Sequence, residues 1–163
     1  MVGEITLEPL TDDTLEFVRQ VRSDPDVYNW LFTHRAEISK DAQQAWWKER
    51  DKPPPYYVAR CDGVPFGYAK MCRHETLSGA CLGICVSPPF QGRGLGEKLL
   101  RRMIELGNSL GITWFWLFVF ANNERAINLY RKCGFEELSV TAPMYLSSNL
   151  SHPVQVMVKV GRV

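Results

Sequence analysis

Apolar and polar positions alternate over Glu4 to Leu10, which predicts an opening strand. The period then lengthens. Thr11 reads as an N-cap, with Asp12 and Asp13 in the first turn and Leu10 set to staple onto Leu15. That helix is predicted to run to about Arg22 and to stop before Asp24-Pro25. A second helix is predicted from Ser39 to near Arg50, and an aromatic segment, Tyr28 to Phe32, lies between the two. Lys52-Pro-Pro-Pro55 is the one break in composition and reads as a stiff link between two halves of a single domain, residues 1–163.

Three strands are predicted beyond the prolines, at Tyr56–Cys61, Gly67–Arg73 and Ala80–Val86, with Asp62-Gly63 marking a hairpin. A helix follows with Leu95, Leu99, Met103, Leu106 and Leu110 on one face, closed by Gly111. Trp114 to Phe120 is apolar throughout, the pattern of a strand buried on both faces. Ala126 to Lys132 reads as helix with Gly134 just past its end, and Phe135 to Val140 and Val154 to Val160 finish as strands. The order β-α-α-β-β-β-α-β-α-β-β predicts a mixed α/β fold: a central, mostly antiparallel sheet of about seven strands flanked by about four helices.

Composition narrows what such a domain does. The 163 residues are 45% hydrophobic and 23% charged, ordinary for a globular protein, and large enough for a real core. A formal net charge of +1 provides no global field to recruit nucleic acid or a membrane. The most apolar run, Trp114 to Ala121, is too short to span a bilayer, and the N-terminus has no signal-peptide pattern. A cytoplasmic protein, monomeric or homodimeric, is the expectation. Cys61, Cys72, Cys81, Cys85 and Cys133 show no zinc-like spacing, so scattered buried thiols and no metal are expected.

Candidate chemistry begins at Gln91-Gly-Arg-Gly-Leu-Gly96, between a predicted strand and a predicted helix. Glycines let successive backbone N–H groups converge, and a helix start adds partial positive charge, so a phosphate is the expected guest. A Walker A loop ends in Gly-Lys-Ser/Thr, whereas Gly96 precedes Glu97-Lys98. The dinucleotide fingerprint requires glycine where Glu97 stands and an acidic residue about twenty positions on, where the chain has Leu117-Phe118. A glycine-rich turn that merely permits tight packing remains open on this loop alone.

Gln91 to Gly96 resembles the Q/R-x-x-G-x-G/A pyrophosphate loop of the GNAT N-acetyltransferases. Asn123 to Phe135 is similar to the N-x-x-A-x-x-L-Y-x-x-x-G-F signature of the same superfamily, in the expected order and spacing. The resemblance implies the GNAT fold and acetyl transfer from acetyl-CoA to an amine by direct attack in a ternary complex. It implies that Ile84, Cys85 and Val86 offer backbone groups to the pantetheine arm, one N–H polarising the thioester carbonyl. Gln91, Gly92, Arg93, Gly94, Leu95 and Gly96 would then hold the pyrophosphate. Asn123 and Ala126 would line the arm, with Asn123 equally suited to cap its helix. Tyr130, four residues after Ala126 and seven after Asn123, shares a helical face with both and is the expected acid for the departing thiolate. An amphipathic core tyrosine is the structural alternative.

No base is evident. N-terminal acetyltransferases of this superfamily commonly carry a glutamate where this chain has Phe118. His74 and Glu75 are candidates, as are surface turn residues of no role. For the acceptor, Val21 to Val27 with Ile38-Ser39 and Trp46-Trp47 resembles a GNAT branch that acetylates nucleotide-linked amino sugars. Ser23 and Gln43 replace that branch's usual asparagine and histidine. Trp30 and Phe32, with Tyr28, would offer a platform for a base or sugar face, and His34 with Arg35 would read a phosphate. The expected partner is a small-molecule amine. The alternatives are acetylation of a protein N-terminus of the ribosomal-protein type, or a non-catalytic acyl-CoA-binding module.

Overall fold

The computed structural model describes residues 3–32, 36–49, 55–75, 78–139 and 153–160. Its strands are β1 (Ile5–Pro9), β2 (Tyr56–Cys61), β3 (Val64–Arg73), β4 (Gly79–Val86), β5 (Trp114–Phe120), β6 (Glu136–Leu138) and β7 (Val154–Val160). Its helices are α1 (Leu15–Ser23), α2 (Pro25–Tyr28), α3 (Lys40–Lys48), α4 (Leu95–Ser109) and α5 (Glu124–Lys132), with 3₁₀ turns at Asp12–Thr14 and Pro88–Phe90. The seven strands form one sheet in the order β1-β2-β3-β4-β5-β7-β6. Pairing is antiparallel for β1–β2, β2–β3, β5–β7 and β6–β7, and parallel for β4–β5 over Gly79–Cys81 against Trp114–Trp116. The predicted mixed sheet is present, and the helix count rises to five because α2 forms a separate turn.

The chain divides into two compact units, Met1–Lys70 with Ile84–Leu99, and Met71–Gly83 with Leu100–Val163. In the first, Leu15, Val18 and Val21 of α1 bury with Leu10, Val27, Trp47, Val58 and Tyr68. Asp24 ends α1 and restarts the chain as α2: its carboxylate accepts from the Asp26 N–H at 2.9 Å, with Pro25 in the first turn. Ser39, where the second helix was predicted to begin, caps α3 through the Ala42 N–H at 3.1 Å. The Asp62-Gly63 turn has φ of 49° and 78°, the left-handed pair that a two-residue hairpin needs.

In the second unit, α4 packs on β5 at Gly107, where an added Cβ would lie 2.5 Å from the Phe115 ring. Phe115, Leu117 and Val119 are buried, whereas Trp114, Trp116 and Phe118 are only partly so. The expectation of a strand buried on both faces is therefore corrected. One face carries large aromatics that cover one another, Trp114 and Trp116 standing 4.6 Å apart. Only Cys133 of the five free cysteines is buried, a second correction, since the other four occupy strand positions with partial exposure. The Lys52 to Pro54 link lies outside the described residues. Among the described residues no helix is long and apolar enough to cross a membrane, and no three His, Cys, Asp or Glu side chains gather as a metal site.

Candidate active site

The loop after β4 is held by hydrogen bonds to its own chain. The Ser87 N–H bonds the Phe66 carbonyl at 2.9 Å, and the Gln91 Nε2 donates to the Val86 carbonyl at 2.9 Å. Phe90 packs near Phe66, with centroids 6.3 Å apart, and the Arg93 guanidinium lies 5.8 Å from the Phe90 ring. Gly92 and Gly94 have φ of 75° and 76°, and nothing lies within 4 Å of a Cβ built on either. Left-handed backbone thus turns the chain toward solvent at an open, side-chain-free surface. Leu95 is buried and anchors the start of α4, whose first backbone bond is donated by Lys98 to the Gly94 carbonyl at 3.3 Å. For the N–H groups of Leu95 and Gly96 no backbone acceptor is found among the described residues. Backbone donors in such an arrangement suit an anion.

The last residues of β4 lie beside it in sequence. Register with β5 covers only Gly79–Cys81, so Ile84, Cys85 and Val86 spend no backbone groups on that neighbour. Gly67 is required opposite: an added Cβ there would stand 2.4 Å from the Cys85 carbonyl oxygen. The Cys85 side chain meets the Tyr68 hydroxyl. Burial pushes the Tyr68 phenol well above its usual range, Cys85 adds to the rise, and Arg22 opposes it. Burial likewise raises the Cys85 thiol, opposed by hydrogen bonding from Tyr68 and by the charges of Arg22 and Lys70. Cys85 is therefore a thiol at neutral pH, not a nucleophilic thiolate.

In the second unit, Asn123 stands just outside α5 as its cap, accepting from the Ala126 N–H at 3.1 Å. Its backbone, φ −88° and ψ 66°, is not helical, so the expected three-residue face reduces to Ala126 and Tyr130. Tyr130 is 9% exposed and packs on Phe135, with ring centroids 6.2 Å apart. Gly134, at φ 84°, closes the helix.

The remaining predicted residues scatter. Trp30 is 43% exposed beyond α2, and Phe32 is partly buried. His34 lies outside the described residues. His74 and Glu75 are exposed, and the His74 N–H bonds the carbonyl of Gly79, the first residue of β4, whereas Ile84–Val86 are its last three. The structure therefore does not bring His74 and Glu75 to that end of the strand.

Sequence reasoning passed over three buried polar residues of the first unit. Arg22 is 8% exposed, Gln43 2%, and Tyr68 6%. The signal was a polar residue on a helix stripe: Arg22 continues Leu15 and Val18 at i+7 and i+4. Both amide atoms of Gln43 lack a hydrogen-bond partner among the described residues. That side chain borders a cavity of about 210 Å³ whose other walls include Asp12, Glu16, Arg19 and Lys40.

A model of the acetyltransferase (GNAT) family matches residues 15–135, spanning β4, the glycine-rich loop and the Asn123–Phe135 segment that contains α5. The chain belongs to this family. It is an N-acetyltransferase, and acetyl-CoA is the acyl donor of the family. The L-amino acid N-acetyltransferase of Escherichia coli is 30% identical over 142 residues, covering 83% of this chain and 85% of that protein. The spermidine N(1)-acetyltransferase of the same organism is 28% identical over 134 residues, covering 80% and 72%. A crystal structure of the Vibrio cholerae spermidine N-acetyltransferase with CoA and spermine superimposes with a TM-score of 0.82 at 20% identity, covering 96% and 95%. This GNAT acetyltransferase thus has relatives that acetylate chemically different amines.

Proposed function

We propose that residues 1–163 act as one catalytic domain that transfers acetyl from acetyl-CoA to a primary amine of a small molecule, by direct attack in a ternary complex. The observation that carries this is the open backbone cradle of Gly92 and Gly94 at the start of α4, which fits a pyrophosphate. Bound acetyl-CoA supplies an activated thioester. Gln91 through Gly96 hold its diphosphate, Arg93 adds charge, and the backbone of Ile84, Cys85 and Val86 orients the pantetheine arm. One of those N–H groups stabilises the oxyanion. Asn123 and Ala126 line the arm, and the Tyr130 Oη proton goes to the sulfur as it departs. Cys85, held as a thiol, does not carry acetyl, so double-reciprocal plots are expected to intersect.

The acceptor favoured by Val21 to Val27 and Trp46-Trp47 is a nucleotide-linked amino sugar. Identity to the L-amino acid enzyme supports an amino acid as the second reading. Initial rates with acetyl-CoA and both acceptor types, read by mass, decide between them. Tyr130→Phe tests the chemistry: acetyl-CoA affinity by calorimetry should persist while kcat falls about 10²–10⁴-fold. Unchanged turnover removes Tyr130 from the mechanism.

A further inference from the structure

Arg22 sits in the last turn of α1, 92% removed from solvent by its 8% exposure. Its guanidinium lies 5.3 Å from the centre of the Trp46 ring, which is itself braced edge-on by Tyr56 at 5.2 Å. Among the described residues no carboxylate lies within salt-bridge reach of it, and none of its N–H donors is taken by a protein acceptor. It lies against the face of an indole and at the negative end of a nine-residue helix, both of which favour a cation. Two other arginines of the first unit have carboxylate partners: Arg19 pairs with Glu16 and Arg60 with Glu8, both at 2.8 Å. None of the Arg22 nitrogens is among the buried polar atoms left without a partner, so the guanidinium keeps an accessible edge, and its five donors form a fork matched to carboxylate or phosphate.

The neighbourhood repeats the sign. Arg22 acts on both Tyr68 and Cys85, and Lys70 acts on Cys85; both are cationic. Cys85 lies in the stretch of β4 assigned above to the pantetheine arm, so this patch of positive potential lies beside that arm. A polycationic amine would meet repulsion there. We infer that Arg22 binds an anionic group, carboxylate or phosphate, carried by the amine acceptor. This rests on the acetyl transfer proposed above, and it names a feature shared by both acceptor readings while excluding polyamines.

The test uses the intact chain with acetyl-CoA and four acceptors: L-phenylalanine, its amide, a UDP-linked 4-amino sugar and spermidine. One of the two anionic acceptors is expected to be acetylated at least ten-fold more efficiently than spermidine, and which one identifies the anion as carboxylate or phosphate. Arg22→Met should lower kcat/KM for that acceptor ten-fold or more, chiefly through KM, with Arg22→Lys intermediate. Affinity for CoA should be unchanged. If the amino acid is used, its amide should be as poor with the native chain as the acid is with Arg22→Met, and no worse with the variant. Should Arg22→Met fail to fold, Arg22→Lys carries the comparison. Calorimetry of the same acceptors against the CoA-loaded chain reads Arg22 independently of turnover. Spermidine as the best acceptor, an Arg22→Met effect confined to CoA affinity, or no binding of either anionic amine overturns the inference. Binding that requires Arg22 without turnover leaves it standing and sinks the proposed catalysis instead.

Discussion

The loop after β4 and the helical stretch from α1 to α3 are built on opposite terms. The loop presents backbone: two left-handed glycines and a row of N–H groups with no side chain above them. The helices present side chains, Arg22 on Trp46 and Tyr68 against Cys85, inside an otherwise apolar cluster. Backbone recognition depends on conformation that only glycine adopts cheaply, so it tolerates little change. Side-chain recognition is altered by one substitution. A family built this way keeps its cofactor and changes its amine, which is what relatives at 28% and 30% identity with spermidine and amino acid activities display.

The sharpest way to break the contrast is Gly94→Val. A β-branched residue at φ 76° is strained by about 1–3 kcal/mol even though the space around it is open. Acetyl-CoA affinity by calorimetry should fall about ten- to a hundred-fold, with acceptor-side variants such as Arg22→Met leaving it alone. Equal affinity in Gly94→Val would mean that backbone conformation there does not matter.

Next is Gln43→Met, which probes polarity in the helical stretch that serves nothing. An unpartnered buried amide costs about 1–3 kcal/mol, and methionine fills similar space without it. A rise in melting temperature of about 2–4 °C is expected for roughly 1 kcal/mol gained. A lower melting temperature would show that Gln43 has a partner worth keeping.

The smallest effect is expected from Glu16→Gln at the cavity rim. Hydrogen bonding from Arg19, chiefly, lowers the Glu16 carboxyl from 4.5 to about 2. A carboxyl depressed in the folded state stabilises fully above its unfolded value and loses that contribution as pH falls from 4.5 toward 2. The substitution should flatten stability across that window by a small, salt-sensitive amount, and leave neutral pH nearly unaltered. A steep acid limb retained in the variant would assign it to other groups.

What the sequence disclosed follows the same division. Glycine turns, capping residues and strand alternation are local, so β2, β4, β5, α4 and α5 were legible within a residue or two, whereas β3 begins at Val64, three residues before its predicted start. Asp24-Pro25 was read only as a stop for α1, although the same pair is a start signal for α2. Asn123 was placed on a helical face it does not occupy, because a residue that caps a helix leaves the helical conformation. The environment of Arg22 was not legible. It depends on Trp46, Tyr68 and Cys85, brought together by tertiary packing across more than sixty positions of chain.

One small contact has kinetic meaning. The amide of Gln91 is clipped to the Val86 carbonyl, and Ser87 to Phe66, by hydrogen bonds within the chain itself. A receptor whose shape exists in advance spends none of its binding energy on ordering itself. Loading of the acyl donor should therefore proceed as one exponential at a rate set by encounter, with no slow rearrangement trailing behind it.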